Sequence, residues 1–249
     1  MKRFMSVAVA VVFLLCTGAL SYGGGGHAAH WSYEGKEGPE HWGDISKSYE
    51  VCKTGKSQSP IDLPKDLKTS TKSIGFNYRT GPIKTLNNGH TIQVNVAPGS
   101  TVTVDGKKYN LLQFHFHSPS EHVVGGTPYE MEVHLVHKND KGELAVVGVF
   151  MKEGKENALV KAIWANLPDK VGEEKAVEGF TINPADLLPA DYTLYRYSGS
   201  LTTPPCSEKV SWNVLKANIE VSKEQKEKFL SIVGRNARPV QPVHERTIE

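Results

Sequence analysis

Two histidines with one residue between them, His115 and His117, are the first feature of this 249-residue sequence that could do chemistry. If the surrounding run is a β-strand, alternate side chains share a face, so both imidazoles point the same way while Phe114 and Phe116 point into the core. Two imidazoles on one face of a strand can converge on a single metal ion. A sequence with ten histidines produces such a pair by chance often enough that the pair alone is weak evidence.

A third imidazole comes from a second predicted strand over residues 129–138, where Glu132, His134 and Val136 share one face. Alone, His134 would be taken for a hydrogen-bonded core histidine. If the two strands pair, it completes a three-histidine set that leaves the fourth tetrahedral position of zinc open to water, as in catalytic sites. Gln113 and Glu132 each lie two residues before a candidate ligand, on its face, where they can orient the imidazole.

The type of ligand favours zinc over other metals. Copper and nickel also accept imidazole. However, the sequence near these histidines contains no Met or Cys, and a set of three histidines leaves a position for solvent.

The elements that must position these residues are mostly strands. Six short segments are rich in β-branched and aromatic residues and bounded by Gly, Pro or Asn, which is typical of strands. These segments are residues 91–97, 101–104, 109–117, 129–138, 144–151 and 209–215. Two segments predict helices: residues 155–167 carry apolar residues at helical spacing, and residues 222–233 open with Ser222 and Gln225 as a capping box and stop before Gly234. The pattern predicts an α+β fold dominated by strands, with surface helices.

Composition predicts one globular domain, over residues 31–249. The chain is 39% hydrophobic and 22% charged, which is ordinary for a globular protein, and no repeat or linker divides it. Its formal charge of +2 provides no basic field that would attract nucleic acid or an anionic membrane. We therefore expect neither as a partner.

The first 21 residues predict a signal peptide. Lys2 and Arg3 precede an apolar run that ends near Cys16, and small residues follow. The run is shorter than the about 20 residues that a transmembrane helix needs, so no stable membrane insertion is expected after cleavage. Residues 22–30 are expected to form a flexible lead-in.

Export agrees with the use of cysteine. Cys16 also fits a lipoprotein signal, but Leu15 is bulkier than the small residue that usually precedes such a cysteine. A soluble periplasmic or secreted protein is the better interpretation. In an oxidising compartment the two remaining cysteines, Cys52 and Cys206, most simply form one disulfide, with two unpaired buried thiols as the alternative.

A series of motifs, taken in order, resembles the α-class carbonic anhydrases over about residues 31–246. The motifs are Gly38-Pro39-Glu40-His41-Trp42, Gln58-Ser59-Pro60-Ile61-Asp62, Asn87-Asn88-Gly89-His90, Gln113-Phe114-His115-Phe116-His117, Ser120-Glu121-His122, Glu132-Val133-His134, Ser200-Leu201-Thr202-Thr203-Pro204-Pro205 and Arg238-Pro239-Val240-Gln241-Pro242. The resemblance implies a large, twisted, mostly antiparallel ten-stranded sheet with zinc at the base of a conical cavity, held by His115, His117 and His134. It also implies reversible hydration of carbon dioxide to bicarbonate and a proton, by attack of a zinc hydroxide.

The resemblance assigns roles to further residues. Thr202 accepts a hydrogen bond from the nucleophile and donates one to Glu121, which can only accept when ionised. His90 is the proton shuttle, suited to this by the pKa of about 6.5 of a free histidine. The carbonyl of Asn236 orients His117, and Cys52 is paired with Cys206. The substrate pocket consists of Val136, Val146, Leu201, Thr203 and Trp212, and the water network of Tyr33, Asn88 and Gln93.

Several of these residues also have a plainer interpretation. The threonines fit a polar turn before two prolines, the apolar residues fit core packing, and His90 fits an exposed loop. Two other functions stay open at this point: a zinc esterase, and an acatalytic binding domain on the same fold. The known relatives also leave a homodimer open.

Overall fold

A ten-stranded sheet carries the fold. The computed structural model describes residues 29–67 and 74–249, so the predicted signal peptide and residues 22–28 of the lead-in lie outside the described residues. The strands are β1 (Asp62–Leu63), β2 (Ile74–Asn77), β3 (Gly81–Asn87), β4 (Ile92–Val96), β5 (Thr101–Val104), β6 (Lys107–His117), β7 (Val123–Val124), β8 (Thr127–Pro128), β9 (Met131–Lys138), β10 (Leu144–Glu153), β11 (Glu174–Ile182), β12 (Leu194–Ser200) and β13 (Glu208–Val221). The helices are α1 (Trp42–Ile45), α2 (Val51–Thr54), α3 (Ala158–Trp164) and α4 (Lys223–Val233), with short 3-10 turns at Gly35–Glu37, Lys47–Tyr49 and Pro184–Leu187.

The large sheet has the strand order β11-β3-β4-β6-β9-β10-β13-β12, with β5 pairing to β6 and β2 to β5. Its pairs are antiparallel except for β10 and β13, which run parallel. Strands β1, β7 and β8 form a separate small sheet. The prediction of a strand-dominated α+β fold with a ten-stranded, mostly antiparallel sheet is confirmed.

The two faces of the sheet have different coverings because side chains alternate along each strand. Phe114 and Phe116 of β6 are fully buried on one face. Helix α3 covers them, with the Trp164 ring 4.9 Å from that of Phe116, and α4 stacks Phe229 on Trp164. The opposite face of β6 carries His115 and His117, so the aromatic packing behind the strand fixes the position of the histidines in front of it.

The predicted elements are found with shifted ends. The strand predicted over residues 209–215 is longer, Glu208–Val221, and the helix predicted over residues 155–167 is shorter, Ala158–Trp164. Helix α3 begins after Asn157, because the Asn157 side chain caps the helix by accepting hydrogen bonds from the N–H groups of Leu159 and Val160. The capping box at the start of α4 is present, and Gly234 is the residue after its last turn.

Several strands had no clear pattern in the sequence. Strand β11 lies at one edge of the sheet and is mostly exposed, and β12 lies at the other edge and reads Leu-Tyr-Arg-Tyr-Ser-Gly-Ser. An edge strand has one partner and needs no continuous apolar side, so its alternation is weak. Within the described residues, no helix is long and apolar enough to cross a membrane.

A disulfide between Cys52 and Cys206 ties helix α2 to the turn after Thr202, as expected. The two cysteines are buried in a small cluster with Trp42 and Tyr49. The bridge closes a segment with a sequence separation of 154 residues. It therefore connects the N-terminal part of the described chain to the segment that carries one of the predicted catalytic residues.

We expect a Cys52→Ala/Cys206→Ala variant to lose about 2–5 kcal/mol of unfolding free energy, because the bridge restricts the unfolded chain over a long loop. Urea unfolding of the mature protein measures the loss, and reduction of the wild type under native conditions is the matched control, since it should give a similar value. A loss below about 1 kcal/mol would mean that local packing holds this region without the bridge.

Candidate metal centre

Three imidazoles meet on the face of the sheet opposite the phenylalanines. His115 and His134 are cross-strand partners on β6 and β9, and His117 lies one pleat further along β6. One nitrogen of each ring lies within 4.8 Å of the others. The cluster is buried apart from part of His115. Pairing of β6 with β9, which the sequence could only propose, brings the three together.

The nitrogens of His115 and His117 that face away from the cluster are already engaged. Nδ1 of His115 lies 2.9 Å from Oε1 of Gln113, and Nδ1 of His117 lies 2.8 Å from the carbonyl oxygen of Asn236. Both partners can only accept at these atoms, so Nδ1 carries the proton and Nε2 presents its lone pair. Nε2 of His117 is buried without a hydrogen-bond partner among the described residues.

His134 is oriented the other way round. Its Nε2 lies 3.0 Å from Oε1 of Glu132, a close contact whose direction falls outside a good hydrogen bond. That contact leaves Nδ1 facing the cluster. The three available nitrogens, Nε2 of His115, Nε2 of His117 and Nδ1 of His134, therefore form a donor set suited to a tetrahedral metal ion.

The environment keeps two of the rings neutral, which is the state that binds a metal. Burial lowers the pKa of His115 well below its usual value, and the charges of His117 and His134 lower it further. Burial also lowers the pKa of His117, although Glu121 opposes this. For His134 the effect of burial is outweighed by Glu132, which raises the pKa, so a metal must compete with a proton at this ring.

A second group of three, His122, Glu132 and His134, also has donor atoms within 4.8 Å of one another. Both ring nitrogens of His122 are already used, however. Nδ1 lies 2.8 Å from Oε1 of Glu132 and Nε2 lies 2.7 Å from the hydroxyl of Tyr197. This group is therefore a hydrogen-bonded support for the metal centre and not a second metal site.

Glu121 reaches the same cluster with one carboxylate oxygen. Its Oε1 accepts a hydrogen bond from the backbone N–H of Arg238 at 2.9 Å. Its Oε2 is buried, lies 3.6 Å from Nε2 of His117 and 3.8 Å from Nδ1 of His134, and accepts no hydrogen bond from the described residues. A buried carboxylate oxygen that accepts no hydrogen bond is energetically costly, so a hydrogen-bond donor is expected beside it. The predicted donor, the hydroxyl of Thr202, is buried, and the bond between them stays a prediction.

A buried hydrogen-bond chain runs from Glu132, which contacts His134, to the segment before Thr202. From Glu132 it passes through His122 to Tyr197, whose hydroxyl lies 2.8 Å from Oγ of Ser59. Ser59 Oγ accepts a hydrogen bond from the backbone N–H of Ser200 at 3.0 Å, and the hydroxyl of Ser200 donates one to the carbonyl oxygen of Leu201 at 2.8 Å. Because the Glu132 carboxylate can only accept, it sets the direction of the protons along the chain.

The apolar residues of the predicted substrate pocket lie beside His134. Val136 pairs with Val146 across β9 and β10, and Val146 pairs with Trp212 across β10 and β13. The Trp212 ring lies 4.8 Å from that of His134. Leu201 packs against the same cluster. Thr203 is half-buried and its carbonyl accepts the N–H of Cys206, and the place of its side chain in the substrate pocket stays a prediction.

His90 lies in a turn whose neighbours connect it to the metal centre. Asn88 caps the turn by accepting the N–H of His90 at 2.9 Å, and Asn236 donates to the carbonyl of His90 at 3.0 Å. Trp31 stacks on the imidazole with ring centroids 3.7 Å apart. Burial lowers the pKa of this half-buried histidine, and the charge of His30 lowers it further.

The residues of the predicted water network divide into two groups. Gln93 is the cross-strand partner of His115, and its Oε1 accepts from Nδ2 of Asn88 at 3.5 Å. Tyr33 lies in an aromatic cluster with Trp42. Burial raises the pKa of Tyr33 well above its usual value, and the charge of Glu121 adds to the shift. The phenol therefore stays protonated and able to donate near Glu121.

Two supporting residues were not assigned from the sequence. Arg238 is 2% exposed, donates to Oε1 of Gln58, the carbonyl of Ser59 and the carbonyl of Cys52, and holds Glu121 through its backbone N–H. Tyr197 links His122 to Ser59. Arg238 and Ser59 belong to two of the sequence motifs, but the residues that they contact are distant in the chain. No local pattern therefore indicates these contacts.

Comparisons with known proteins agree with this centre. The family model described as eukaryotic-type carbonic anhydrase matches residues 37–249. The carbonic anhydrase of Neisseria gonorrhoeae is 42% identical over 248 residues, which cover 99% of this chain and 97% of the relative. The carbonic anhydrase of Klebsiella pneumoniae is 46% identical over 225 residues, which cover 89% of this chain and 91% of the relative. Among solved structures, the α-carbonic anhydrase of Thermovibrio ammonificans in complex with the inhibitor sulfanilamide is 47% identical with a TM-score of 0.85, covering 89% of this chain and 99% of that chain.

We expect Glu132→Gln to weaken zinc binding by roughly 10–100-fold, the range found when a group that orients a metal-bound histidine is lost. The amide replaces one acceptor oxygen with an NH₂ donor, so it cannot accept both from the ring of His122 and from the backbone N–H groups of Glu121 and His122, and its contact with His134 would shift. Competition with a chromophoric chelator measures the affinity. Glu130→Gln, two residues earlier on the chain and paired with Lys226, is the matched control. Equal affinity for wild type and Glu132→Gln would show that Glu132 does not orient His134.

Proposed function

The chain belongs to the eukaryotic-type carbonic anhydrase family and is a carbonic anhydrase, a lyase, and on this premise we propose that it hydrates carbon dioxide reversibly at a zinc ion held by His115, His117 and His134. One observation carries the proposal. Each of the three imidazoles has one nitrogen fixed by a Gln, Glu or backbone oxygen, and the remaining three nitrogens converge.

The donor set suits zinc. Three neutral imidazoles are the ligands of catalytic zinc, and a buried Nε2 on His117 without a partner is an atom that a metal would satisfy. Bound here, zinc would act as a Lewis acid that lowers the pKa of a water molecule to about 7, the value established for carbonic anhydrases as a class.

We assign the orientation of the nucleophilic oxygen to Thr202 and Glu121. An ionised carboxylate only accepts, so the free Oε2 of Glu121 would accept a hydrogen bond from the hydroxyl of Thr202. The oxygen of Thr202 then has only lone pairs left to offer and accepts a hydrogen bond from the nucleophile. This fixes the direction in which the nucleophile presents its own lone pair, which favours a near-attack geometry.

The substrate pocket follows from the apolar residues beside His134. Carbon dioxide carries no net charge or dipole, so a wall of Val136, Val146, Leu201 and Trp212 would hold it with little loss of hydration. The parallel pairing of β10 and β13 sets Trp212 next to Val146. Thr203 is assigned to the edge of this pocket on the family resemblance.

Proton release is assigned to His90. Its lowered pKa keeps the imidazole neutral at neutral pH, so it can accept a proton and pass it to buffer. Asn88 and Gln93, which are in contact, and the protonated phenol of Tyr33 supply polar groups for water between His90 and the metal centre. Asn236 holds both the His90 turn and His117, so it couples the two positions.

None of the contacts among the described residues favours either alternative function. An acatalytic binding domain would have no use for three oriented imidazoles together with a free oxygen on Glu121. A dedicated zinc esterase would pair the metal with its own general base, and the acids at this site are committed to positioning. Weak ester hydrolysis remains an expected side reaction.

The location of the protein is proposed from two observations. A disulfide between Cys52 and Cys206 supports folding in an oxidising compartment, and the pattern of residues 1–21 supports a cleaved signal. We infer export to the periplasm or the medium, with the enzyme domain over residues 31–249. A homodimer remains an expectation from the family alone.

We expect rapid carbon dioxide hydration by the zinc-loaded mature protein, loss of that activity when zinc is removed, and its recovery when zinc is restored. Stopped-flow measurement with a pH indicator gives the rate. His134→Ala should bring the rate to that of buffer, because it removes one of three ligands. His137→Gln is the matched control, since His137 lies on the same strand but faces the opposite side. A zinc-loaded wild type with no hydration above buffer would refute the proposed function.

We expect His90→Ala to lower kcat by about 10²-fold at low buffer concentration, the usual contribution of a proton-transfer group, while kcat/KM changes little. Added imidazole should restore kcat. In the wild type the His90-dependent part of kcat should fall as pH drops through a value below 6.5, because protonation removes the acceptor. An unchanged kcat in dilute buffer would show that the proton leaves by another route.

A further inference from the structure

Tyr197 lies in the middle of the buried hydrogen-bond chain that begins at Glu132. It belongs to β12, the strand that leads into the Thr202 segment, and it is 3% exposed. Its hydroxyl contacts Nε2 of His122 at 2.7 Å and Oγ of Ser59 at 2.8 Å. The phenol therefore joins the surroundings of Glu132 to a serine that is distant in the sequence.

The protons of this hydrogen-bond chain have a definite direction. Oε2 of Glu132 accepts two backbone N–H groups, and Oε1 lies 2.8 Å from Nδ1 of His122. Because the ionised carboxylate can only accept, Nδ1 is the donor, and a neutral imidazole that donates from Nδ1 accepts at Nε2. Tyr197 therefore donates its proton to His122. Burial raises the pKa of the phenol well above its usual value, so the proton stays on it.

The direction of the next hydrogen bond follows from the same rule. Tyr197 has one proton and donates it to His122, so the hydroxyl of Ser59 is the donor in its 2.8 Å contact with Tyr197. Oγ of Ser59 in turn accepts the backbone N–H of Ser200 at 3.0 Å. Every donor is thus directed toward Glu132, the charged end of the hydrogen-bond chain. Hydrogen bonds aligned in this way polarise and strengthen one another in the protein interior.

Ser59 and Ser200 together hold the peptide group that leads into Thr202. The backbone N–H of Ser59 donates to Oγ of Ser200 at 2.9 Å, and that hydroxyl donates to the carbonyl oxygen of Leu201 at 2.8 Å. The carbonyl of Leu201 belongs to the peptide bond between Leu201 and Thr202. Because Ser59 and Ser200 exchange hydrogen bonds, a displacement of Ser59 also moves this peptide bond.

The packing around these groups leaves little room for adjustment. A Cβ on Gly199 would collide with Oγ of Ser59 and would lie 2.7 Å from Cε2 of Tyr197. On the other side, Nε1 of Trp212 donates to the carbonyl oxygen of Ser200 at 2.8 Å. Both serines and the tyrosine are buried. Loss of one hydrogen bond here therefore leaves a buried polar group unpaired, which costs free energy.

We propose that Tyr197 is a positioning residue for carbon dioxide hydration, and that its hydroxyl holds Thr202 in place through the two serines of the hydrogen-bond chain. The proposal rests on the proposed function, in which Thr202 orients the nucleophile. Glu132 contacts the ring of His134 and also anchors the hydrogen-bond chain. One buried carboxylate thus fixes the position of Thr202 relative to a metal ligand, which is the condition for a near-attack geometry.

The first test measures carbon dioxide hydration by zinc-loaded Tyr197→Phe in stopped flow. Loss of the hydroxyl should lower kcat/KM roughly tenfold, the effect of about one hydrogen bond. Zinc affinity should stay that of the wild type, because Glu132 keeps its contact with His134. Tyr195→Phe is the matched control, since Tyr195 is buried on the same strand and its hydroxyl forms no hydrogen bond with the described residues.

Three results of this comparison would overturn the proposal. One is an unchanged kcat/KM in Tyr197→Phe, and another is an equal loss in Tyr195→Phe. The third is a zinc affinity that falls in step with kcat/KM, which would place the effect at the metal ligand His134 instead of at Thr202.

A double-mutant cycle separates action through Ser59 from a general loss of packing. Ser59→Ala should lower kcat/KM at least as much as Tyr197→Phe, because it removes the acceptor of the Ser200 N–H directly. Tyr197→Phe/Ser59→Ala should fall no further than Ser59→Ala alone, since both changes break the same hydrogen-bond chain. Losses that multiply would show two independent defects and would contradict the proposal.

Nuclear magnetic resonance of the ¹⁵N-labelled, zinc-loaded protein tests the hydrogen-bond chain without relying on activity. The amide proton of Ser200 should move upfield in Tyr197→Phe, because Ser59 becomes a poorer acceptor, and should stay in place in Tyr195→Phe. Nε2 of His122 should give the signal of an unprotonated ring nitrogen. A protonated Nε2 would reverse the direction of the hydrogen bonds and overturn the proposal. A wild type without hydration refutes the proposed function, whereas an active wild type with an unmoved Ser200 signal in Tyr197→Phe refutes the role of Tyr197 alone.

Discussion

The carboxylate of Glu132 is fully buried, and the metal centre depends on how its charge is satisfied. Oε2 accepts the backbone N–H groups of Glu121 and His122, while Oε1 contacts the rings of His122 and His134. Burial alone would raise the pKa of Glu132, but the two histidines hold it well below its usual value. The group therefore stays ionised. A charge in this position holds the ring of His134, the backbone of Glu121 and the start of the hydrogen-bond chain together.

The strand opposite leaves little space around this carboxylate. Gly148 of β10 is the cross-strand partner of His134, and a Cβ on Gly148 would lie 2.8 Å from Oε1 of Glu132. A larger residue would have to displace a carboxylate that is held by several donors. A glycine inside a strand usually weakens it, and here it allows the close approach on which the site relies.

Two separate anchors hold the parts of the site that do not lie on central strands. Arg238 joins the Cys52 segment, the Ser59 segment and Glu121 from one buried position. Burial lowers its pKa to about 10, and Glu121 and Tyr33 oppose the shift, so the guanidinium remains charged at neutral pH. The disulfide joins the same N-terminal segment to the turn after Thr202. The disulfide therefore holds the turn after Thr202, and the hydrogen bonds of Arg238 hold Glu121 and the Ser59 segment, both from positions outside the sheet.

The sequence by itself determined the parts that depend on local pattern. Strand alternation placed His115 and His117 on one face, two-residue spacing put Gln113 beside its histidine, and the capping box and Gly234 set the ends of α4. The tertiary structure alone decided which strands are neighbours, and hence that His134 joins the pair. It also decided that Arg238 supports Glu121. These contacts join residues far apart in the chain, and their energies come from burial and charge compensation that exist only once the sheet is assembled.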